Sequence, residues 1–522
     1  GFTQDFKILF KRNRTFNFQL RNPYSGGSGT ADVAFQPFRL TNIGSGGVSS
    51  PAFTNVLISA YGSGALPLPT FDLRAGTTFS ALEYAANGNN QFIDINSIRM
   101  LGSLAISADK KTINPRGQVL NPRGSVLSIS SVKYDHVNFG VNTNHSSLNG
   151  FLIQNVETVS SPNSSELGPT GNYFAYLAGG SNVFINKCKT GDTLQKDHNM
   201  RLFADRLTIA DCDLRNVTDW SRFIGQLDKD HLDDGNTSGA DRKGMHTIRL
   251  NDGDYIWATG NRITGGQIYV GKFERGNNTT FSDGIVKYFV FERNRVLADS
   301  NETNADFIRQ PEATPGTTGA YSYKINDARI FINVKGNSSG AKFGVLRNNL
   351  IESTNSPYGV VQMRVNDDAN YKFLQNTIRY RGDVGTPDSF LRLERLGTGD
   401  GDCAIYGNLF AEAPNGTKAV RLSGTNALAA ITTGSTVLKG HNVFDSASAY
   451  MVGTSTPTLS SWNALGGSAD FEAEATIARL TAVPTLVSGA IERNFDVVGV
   501  IDDFDGGTAR PTTGRTAGAY EL

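Results

Sequence analysis

The chain has 522 residues, with 49 basic and 49 acidic side chains and a formal net charge of zero. Neutrality removes any global attraction to nucleic acid, three cysteines exclude a disulfide-rich scaffold, and no apolar run is long enough to span a bilayer. Only 19% of residues are charged and 57 are glycine, while Val, Ile and Phe alternate with polar residues in short runs, which is an all-β pattern with many tight turns. The chain opens at Gly1 with no signal peptide. A secreted or cell-surface protein numbered after processing has this form, and so does a virion protein that has lost its initiator Met.

In chain order, residues 1–90 read as a β-rich cap or attachment region. RTFNFQLRN and TNVLISAYG have strand patterns, and FSALEYAANG reads as a short helix. A tandem NPRGQVL/NPRGSVL at 114–127 reads as two turns. From about 91 to 450 a looser unit recurs, closing on an Asn two residues before an apolar side chain: Asn261, Asn294, Asn349, Asn376, Asn408 and Asn442. Most spacings are about 27 to 34 residues, and the step from 294 to 349 spans two units. Cys188 and Cys212 lie 24 residues apart in the same context. A unit of this length with three short β-runs cannot bury its own apolar face and must stack on its neighbours. Stacked asparagines can hydrogen-bond from rung to rung, so they read as a ladder. The expected fold is a right-handed parallel β-helix over 91–450, closed by 451–522. Cys188 and Cys212 would stand close enough on adjacent rungs for a disulfide, with buried free thiols as the favoured state.

One repeat is gapless. Arg249-Leu250-Asn251-Asp252 aligns with Arg364-Val365-Asn366-Asp367, and Asn261 then aligns with Asn376. Strand alternation sends Ile248 and Leu250, Val361 and Met363, and Met200 and Leu202 inward. It sends Arg249, Arg364 and Arg201 outward, with Arg392 and Arg421 by the same reading. Arg309, Asn333 and Tyr269 fill intermediate rungs. The result is a stripe of guanidinium groups with rungs about 4.8 Å apart. Guanidinium is a planar multi-donor group suited to carboxylate or sulfate, so the stripe could follow an acidic glycan, with Tyr269, Trp220 and Trp257 stacking on sugar faces. The competing reading pairs the arginines with Asp252, Asp306, Asp367 and Glu394.

The insertion 225–245 precedes His246 and marks an edge of a groove or a solvated loop. Asp228, Asp230 and Asp233 in it offer oxygen ligands that would take Ca²⁺. Two reactions fit the acidic-glycan reading. A uronate lyase needs the carboxylate neutralised, a base for the C5 proton and an acid for the leaving oxygen; Lys243, His246, Arg249 and Lys272, beside Arg201, supply suitable groups. A hydrolase needs two carboxyls about 5 to 9.5 Å apart, for which Asp211/Asp213 and Asp252/Asp254 are the candidates. His198 and His246 each precede an arginine by three residues, so each lies inside or at the preceding corner, where a core role competes with a basic one.

LSSWNALGG (459–467) and DDFDGGTARPTTGRTAGAYEL (502–522) resemble the closing segment of secreted bacterial right-handed β-helix proteins, in Asp503, Asp505, Gly506, Arg510, Pro511, Gly518, Ala519, Tyr520 and Glu521. The run from Lys243 to Arg249 resembles the basic rungs of β-helix polysaccharide lyases of the alginate and chondroitin type. The resemblance implies an extracellular enzyme acting on an acidic polysaccharide by β-elimination; composition adds the expectation of no nucleic-acid or membrane partner, and a monomer is favoured over a trimer or fibre assembly. The alternatives are a phage tailspike depolymerase, trimeric, and a non-catalytic surface or fibre protein.

Overall fold

The computed structural model describes residues 6–17, 38–43, 54–72, 80–86, 91–101, 103–106, 113–116, 118–123, 126–135, 139–143, 149–159, 173–190, 198–215, 246–265, 267–271, 286–297, 330–333, 342–353, 359–365, 369–380, 388–395, 403–412, 416–424, 427–444, 449–472, 492–493 and 515–516. The chain divides into two compact units, Gly1–Arg249 and Leu250–Leu522. Each is a parallel β-helix with the same turn plan. A first strand ends in a sharp corner, a short second strand follows, and a third strand precedes the next turn.

In the N-terminal unit the first face stacks Phe6–Lys11, Thr54–Tyr61, Gln91–Asn96, Val126–Ser130 and Asn149–Gln154, all parallel. The second stacks Thr15–Asn17, Thr70–Asp72, Arg99–Leu101, Lys133–Asp135 and Glu157–Val159. The third stacks Phe38–Ile43, Ser80–Ala86, Gln118–Arg123 and Phe139–Thr143. The long strands Tyr173–Asn186 and His198–Ala210 pair with one another along both the third and the first face, with a register shift between. Rungs therefore begin at Phe6. Two local expectations are corrected. FSALEYAANG contains the strand Ser80–Ala86, paired on both sides, and not a helix; its helix-forming Leu, Glu and Ala are overridden by pairing within a sheet. Both NPR triplets lie in strands, Ile113–Arg116 and Gln118–Arg123, and not in turns.

In the C-terminal unit the first face stacks Ile256–Thr259, Tyr288–Glu292, Lys342–Arg347, Ala369–Leu374, Cys403–Tyr406 and Lys439–Gly440. The second runs from Arg262–Thr264 through Arg295–Leu297, Leu350–Ser353, Thr377–Tyr380, Leu409–Ala411 and Val443–Phe444 to Phe471–Glu472. The third stacks Gln267–Gly271, Ile330–Asn333, Val361–Val365, Ser389–Arg395, Lys418–Ser423 and Ala449–Val452. Inward side chains form columns, such as Ile268, Ile330, Val361, Leu391 and Val420, all buried. Each such side chain contributes about 1.5–3 kcal/mol of burial.

The corner between first and second strands explains the asparagine period. One residue takes a left-handed conformation: Gly260, Arg293, Asn348, Gln375, Gly407 and His441 in successive turns. The next residue points into the corner and is buried: Asn261, Asn294, Asn349, Asn376, Asn408 and Asn442. Each donates both its backbone N–H and its Nδ2 to the Oδ1 of the next, at 2.9–3.2 Å. Asn294 and Asn349 therefore stand on adjacent rungs, so the long step between them is a single turn with longer connections and not the two units expected from spacing. From Asn294 onward, Nδ2 also donates to a carbonyl of the preceding rung. The ladder ends on Asp470, whose Oδ1 accepts from Asn442 N and Nδ2. In the N-terminal unit the same position, after left-handed Ser97, Ser131, Asn155, Lys187 and Asp211, holds Ile98, Val132, Val156, Cys188 and Cys212, all buried. The cysteines are free thiols, and Cys188 N–H points to Cys212 Sγ at 3.4 Å.

LSSWNALGG forms the helix Leu459–Asn463, capped by Thr458 and carrying buried Trp462 onto the last rungs. The remainder of the quoted closing motif, Asp503 to Glu521, lies outside the described residues apart from Arg515–Thr516, which pairs antiparallel with Glu492–Arg493. No helix among the described residues is long and apolar enough to cross a membrane.

Candidate functional site

The expected stripe maps to the third face. Alternation places two outward columns there in the C-terminal unit. One runs Tyr269, Phe331, Gln362, Arg392, Arg421 and Met451; the other runs Gly271, Asn333, Arg364, Glu394 and Ser423. Tyr269, Asn333, Arg364 and Arg392 are thus brought together in two neighbouring columns, with Arg392 directly in register with Arg421. For Phe331, Asn333 and Arg364 the backbone register alone is described.

The two arginines in register differ. Arg421 forms an ion pair with Asp388, a partner that sequence spacing did not reveal because it lies 33 residues away on the preceding rung. Glu394 accepts a long bond from Gln362 Nε2 at 3.4 Å. Arg392 has no ion-pair or hydrogen-bond partner among the described residues, and its Nε is buried. An arginine held beside a second arginine with its own bonds unmade is a ready receptor for an oxyanion, since charge-assisted bonds to a carboxylate or sulfate are the strong ones. The competing reading, mutual neutralisation, holds for Arg421 and not for Arg392.

Elsewhere on this face outward does not mean open. Tyr269 is 4% exposed and Gln362 3%, and in the N-terminal unit Arg249 is 4% exposed. Sequence alternation identified the side on which these residues stand but not what covers them. Arg201 is half-buried, its guanidinium 5.3 Å from the centre of the Phe203 ring. His198 and His246 each open a strand, His198–Ala210 and His246–Asp252. Lys243, Lys272 and Arg309 lie outside the described residues, as do Asp228, Asp230 and Asp233 and Trp220. Among the described residues no cluster of His, Cys, Asp or Glu could hold a metal.

Of the two carboxyl pairs weighed for hydrolysis, Asp252 and Asp254 each have another partner. Asp252 Oδ1 accepts from Gly253 N–H at 2.9 Å, and Asp254 forms an ion pair with Lys287 at 3.1 Å. Asp211 occupies the left-handed corner before Cys212. The insertion 225–245 connects the second-face strand Asp213–Arg215 to the strand that begins at His246, so its sequence leads straight onto the third face. Searches for similar proteins add nothing to these residues: no protein-family model, no curated protein and no solved structure matches the chain.

Proposed function

We propose that this β-helix is an extracellular carbohydrate-active protein that binds an acidic polysaccharide along its third face and cleaves it by β-elimination. The observation carrying this reading is Arg392, an unpartnered guanidinium in register with Arg421 on a regularly spaced face. Arg392 binds the carboxylate of one uronate of the chain; at the reacting sugar another cation neutralises the carboxylate, which makes its C5 proton more acidic. A base then takes that proton, the C4–C5 double bond forms, and the C4–oxygen bond breaks with protonation of the leaving oxygen. Lys243, His246, Arg249 and Lys272 are the residues that supply the base, the acid and that cation in this proposal. Arg201, Tyr269, Arg309, Asn333 and Arg364 are the further binding residues in this proposal. Resemblance to β-helix lyases of the alginate and chondroitin type supports the same chemistry.

The test is absorbance at the unsaturated-uronate band during incubation with alginate, pectate, chondroitin, hyaluronan and ulvan. A rise that Arg392→Ala reduces, and that Lys243→Ala abolishes, is the expected result. A flat trace with new reducing ends would replace elimination by hydrolysis. A flat trace without new ends or binding on any acidic glycan would overturn the proposal in favour of a spike or fibre role.

A further inference from the structure

The first turn of the N-terminal unit is a sheet edge. Phe6–Lys11 pairs with Thr54–Tyr61, Thr15–Asn17 with Thr70–Asp72 and Phe38–Ile43 with Ser80–Ala86, and among the described residues each of these first-turn strands is paired on that one side alone. In a parallel sheet alternate residues turn their N–H and C=O to opposite neighbours, so half of the backbone groups of Phe6–Lys11 face away from Thr54–Tyr61. The strand is six residues long and has neither a proline nor a register shift, which are common ways of blunting an edge.

The outward side chains of this strand alternate charge and apolar surface. Lys7, Leu9 and Lys11 point out and are exposed, whereas Ile8 and Phe10 turn in. Phe10 is buried, with its ring centre 5.0 Å from that of Phe16 and 4.6 Å from that of Phe71. Tyr61 stands in register with Lys11, and the Leu66 carbonyl accepts from Arg12 Nη1 at 3.0 Å. Leu9, Tyr61 and Leu66 are 46%, 49% and 41% exposed, half of the large apolar side chains that the described residues leave open. Lys7, Lys11, Arg12 and Arg14 supply four positive charges, against one acid, Asp72, in the described stretches 6–17 and 54–72. The chain as a whole is neutral, so this end concentrates charge of one sign beside open apolar surface.

We propose that this edge is a docking site for a partner polypeptide, which adds an acidic, extended segment as a further rung against Phe6–Lys11. The added strand makes on the open side the backbone bonds that Thr54–Tyr61 makes on the other. Lys7, Leu9 and Lys11 select carboxylate, apolar and carboxylate side chains at alternate positions of that strand, because opposite charges attract across a strand pair and like charges repel. The residues between them are apolar and cover Ile8 and Phe10. Basic side chains on an edge also keep copies of one chain from pairing with each other, so a second copy is the poorer occupant. Protection alone leaves Leu9, Tyr61 and Leu66 without a purpose, since an edge shielded from every partner gains nothing from open apolar surface beside its lysines. An anionic polysaccharide meets the charges but not the row of backbone donors and acceptors spaced for a strand.

The test is fluorescence anisotropy of a labelled peptide titrated with the full chain. The peptide is blocked at both ends, with Glu at its second and sixth positions, Leu at its fourth and Val at its third and fifth. It holds no sugar, so the outcome is independent of the acidic-glycan proposal. Saturable binding that weakens with added salt is expected, with affinity lowered roughly tenfold or more in the double variant Lys7→Glu/Lys11→Glu and lowered also in Leu9→Ser. All three positions are exposed, and thermal melts confirm that each variant is folded. Two further peptides carry N-methyl groups at odd or at even positions; one should bind like the parent and the other should not, because only alternate N–H groups of an added strand face the edge. The proposal is overturned if the acidic peptide binds no better than a counterpart with Lys in place of Glu, or if Lys7→Glu/Lys11→Glu binds it as wild type does. It is equally overturned if both methylated peptides bind like the parent, which would leave charge attraction without strand addition, or if the double variant converts a dimer to a monomer with no peptide bound, which would make a second copy of the chain the occupant.

Discussion

Trp462 donates its indole N–H to Asp470 at 2.6 Å, and Asp470 in turn closes the asparagine ladder by accepting both donors of Asn442. The last rung therefore joins three structural levels. The helix Leu459–Asn463 supplies the tryptophan, the second face supplies the ladder, and Lys439 at the end of an inward first-face column lies 5.1 Å from the Trp462 ring centre. Tyr450 stacks on the same side chain, with ring centres 4.3 Å apart. A ladder of donors needs a final acceptor, and a carboxylate with two oxygens serves the ladder and the helix at once.

This arrangement gives stability a defined pH dependence. Burial raises the Asp470 carboxyl above the ordinary aspartate value, and Lys439 with the three donated bonds only partly offsets that. Between the ordinary and the raised value, the folded chain keeps a proton that the unfolded chain has released. Stability contributed by this group therefore falls as pH rises through that window and stays lower above it. Asp470→Asn lacks the titration and presents an amide N–H₂ to the indole N–H, at a loss of roughly 1–3 kcal/mol. Thermal denaturation from about pH 3 to about pH 7 should show the acid-side slope in wild type and its absence in Asp470→Asn. Equal slopes in the two proteins would remove Asp470 as its origin.

Gly344 makes a second prediction. It stands between Phe289 and Tyr371 in an inward column of the first face, and the two rings meet across it with centres 5.6 Å apart. A Cβ at this position would lie 2.1 Å from Phe289 Cζ. Gly344→Ala should thus lower stability by roughly 1–3 kcal/mol through overpacking, measured as a shift in denaturant midpoint. Phe289→Leu in the same chain removes the ring that is in the way and should recover part of the loss. A neutral Gly344→Ala would show that the glycine is there for some other reason.

The fold was legible because its most regular feature is chemical. Asn261 to Asn442 announced a rung-to-rung ladder, and alternation correctly set Val361 and Met363 inward. The N-terminal rungs were not legible as repeats, because their corners hold Ile98, Val132 and Val156, which look like any other strand residue. Ser80–Ala86 was lost for a related reason: its composition favours a helix, and partners far away in sequence decide otherwise. At the site, alternation identified the column that carries Arg392 but could not reveal Asp388 beside Arg421, or the cover over Arg249 and Tyr269. Alternation alone does not separate core from surface for Trp257, which the structure leaves 45% exposed.

The two kinds of corner should respond differently to substitution. Asn376 accepts from Asn349 N and Nδ2, and donates to Asn408 Oδ1 and Leu346 O, all within 2.9–3.1 Å and fully buried. Asn376→Ala leaves two donors of Asn349 and the Leu346 carbonyl unpaired with no route to water, so a loss of roughly 2–5 kcal/mol is expected. Cys188 occupies the same corner two rungs after Val132 and one after Val156. Its thiol makes only weak contacts to Ile153 O at 3.5 Å and Asn186 O at 3.3 Å. Cys188→Val places there the side chain that the preceding corners already use, and should cost less than about 1.5 kcal/mol. The contrast follows from what each corner leaves behind: an apolar corner is filled again by any side chain of similar volume, whereas a ladder position is also the acceptor for its neighbour. Denaturant midpoints of the two variants check this directly, and equal losses would mean that corner packing, and not the hydrogen-bonded ladder, holds the C-terminal rungs together.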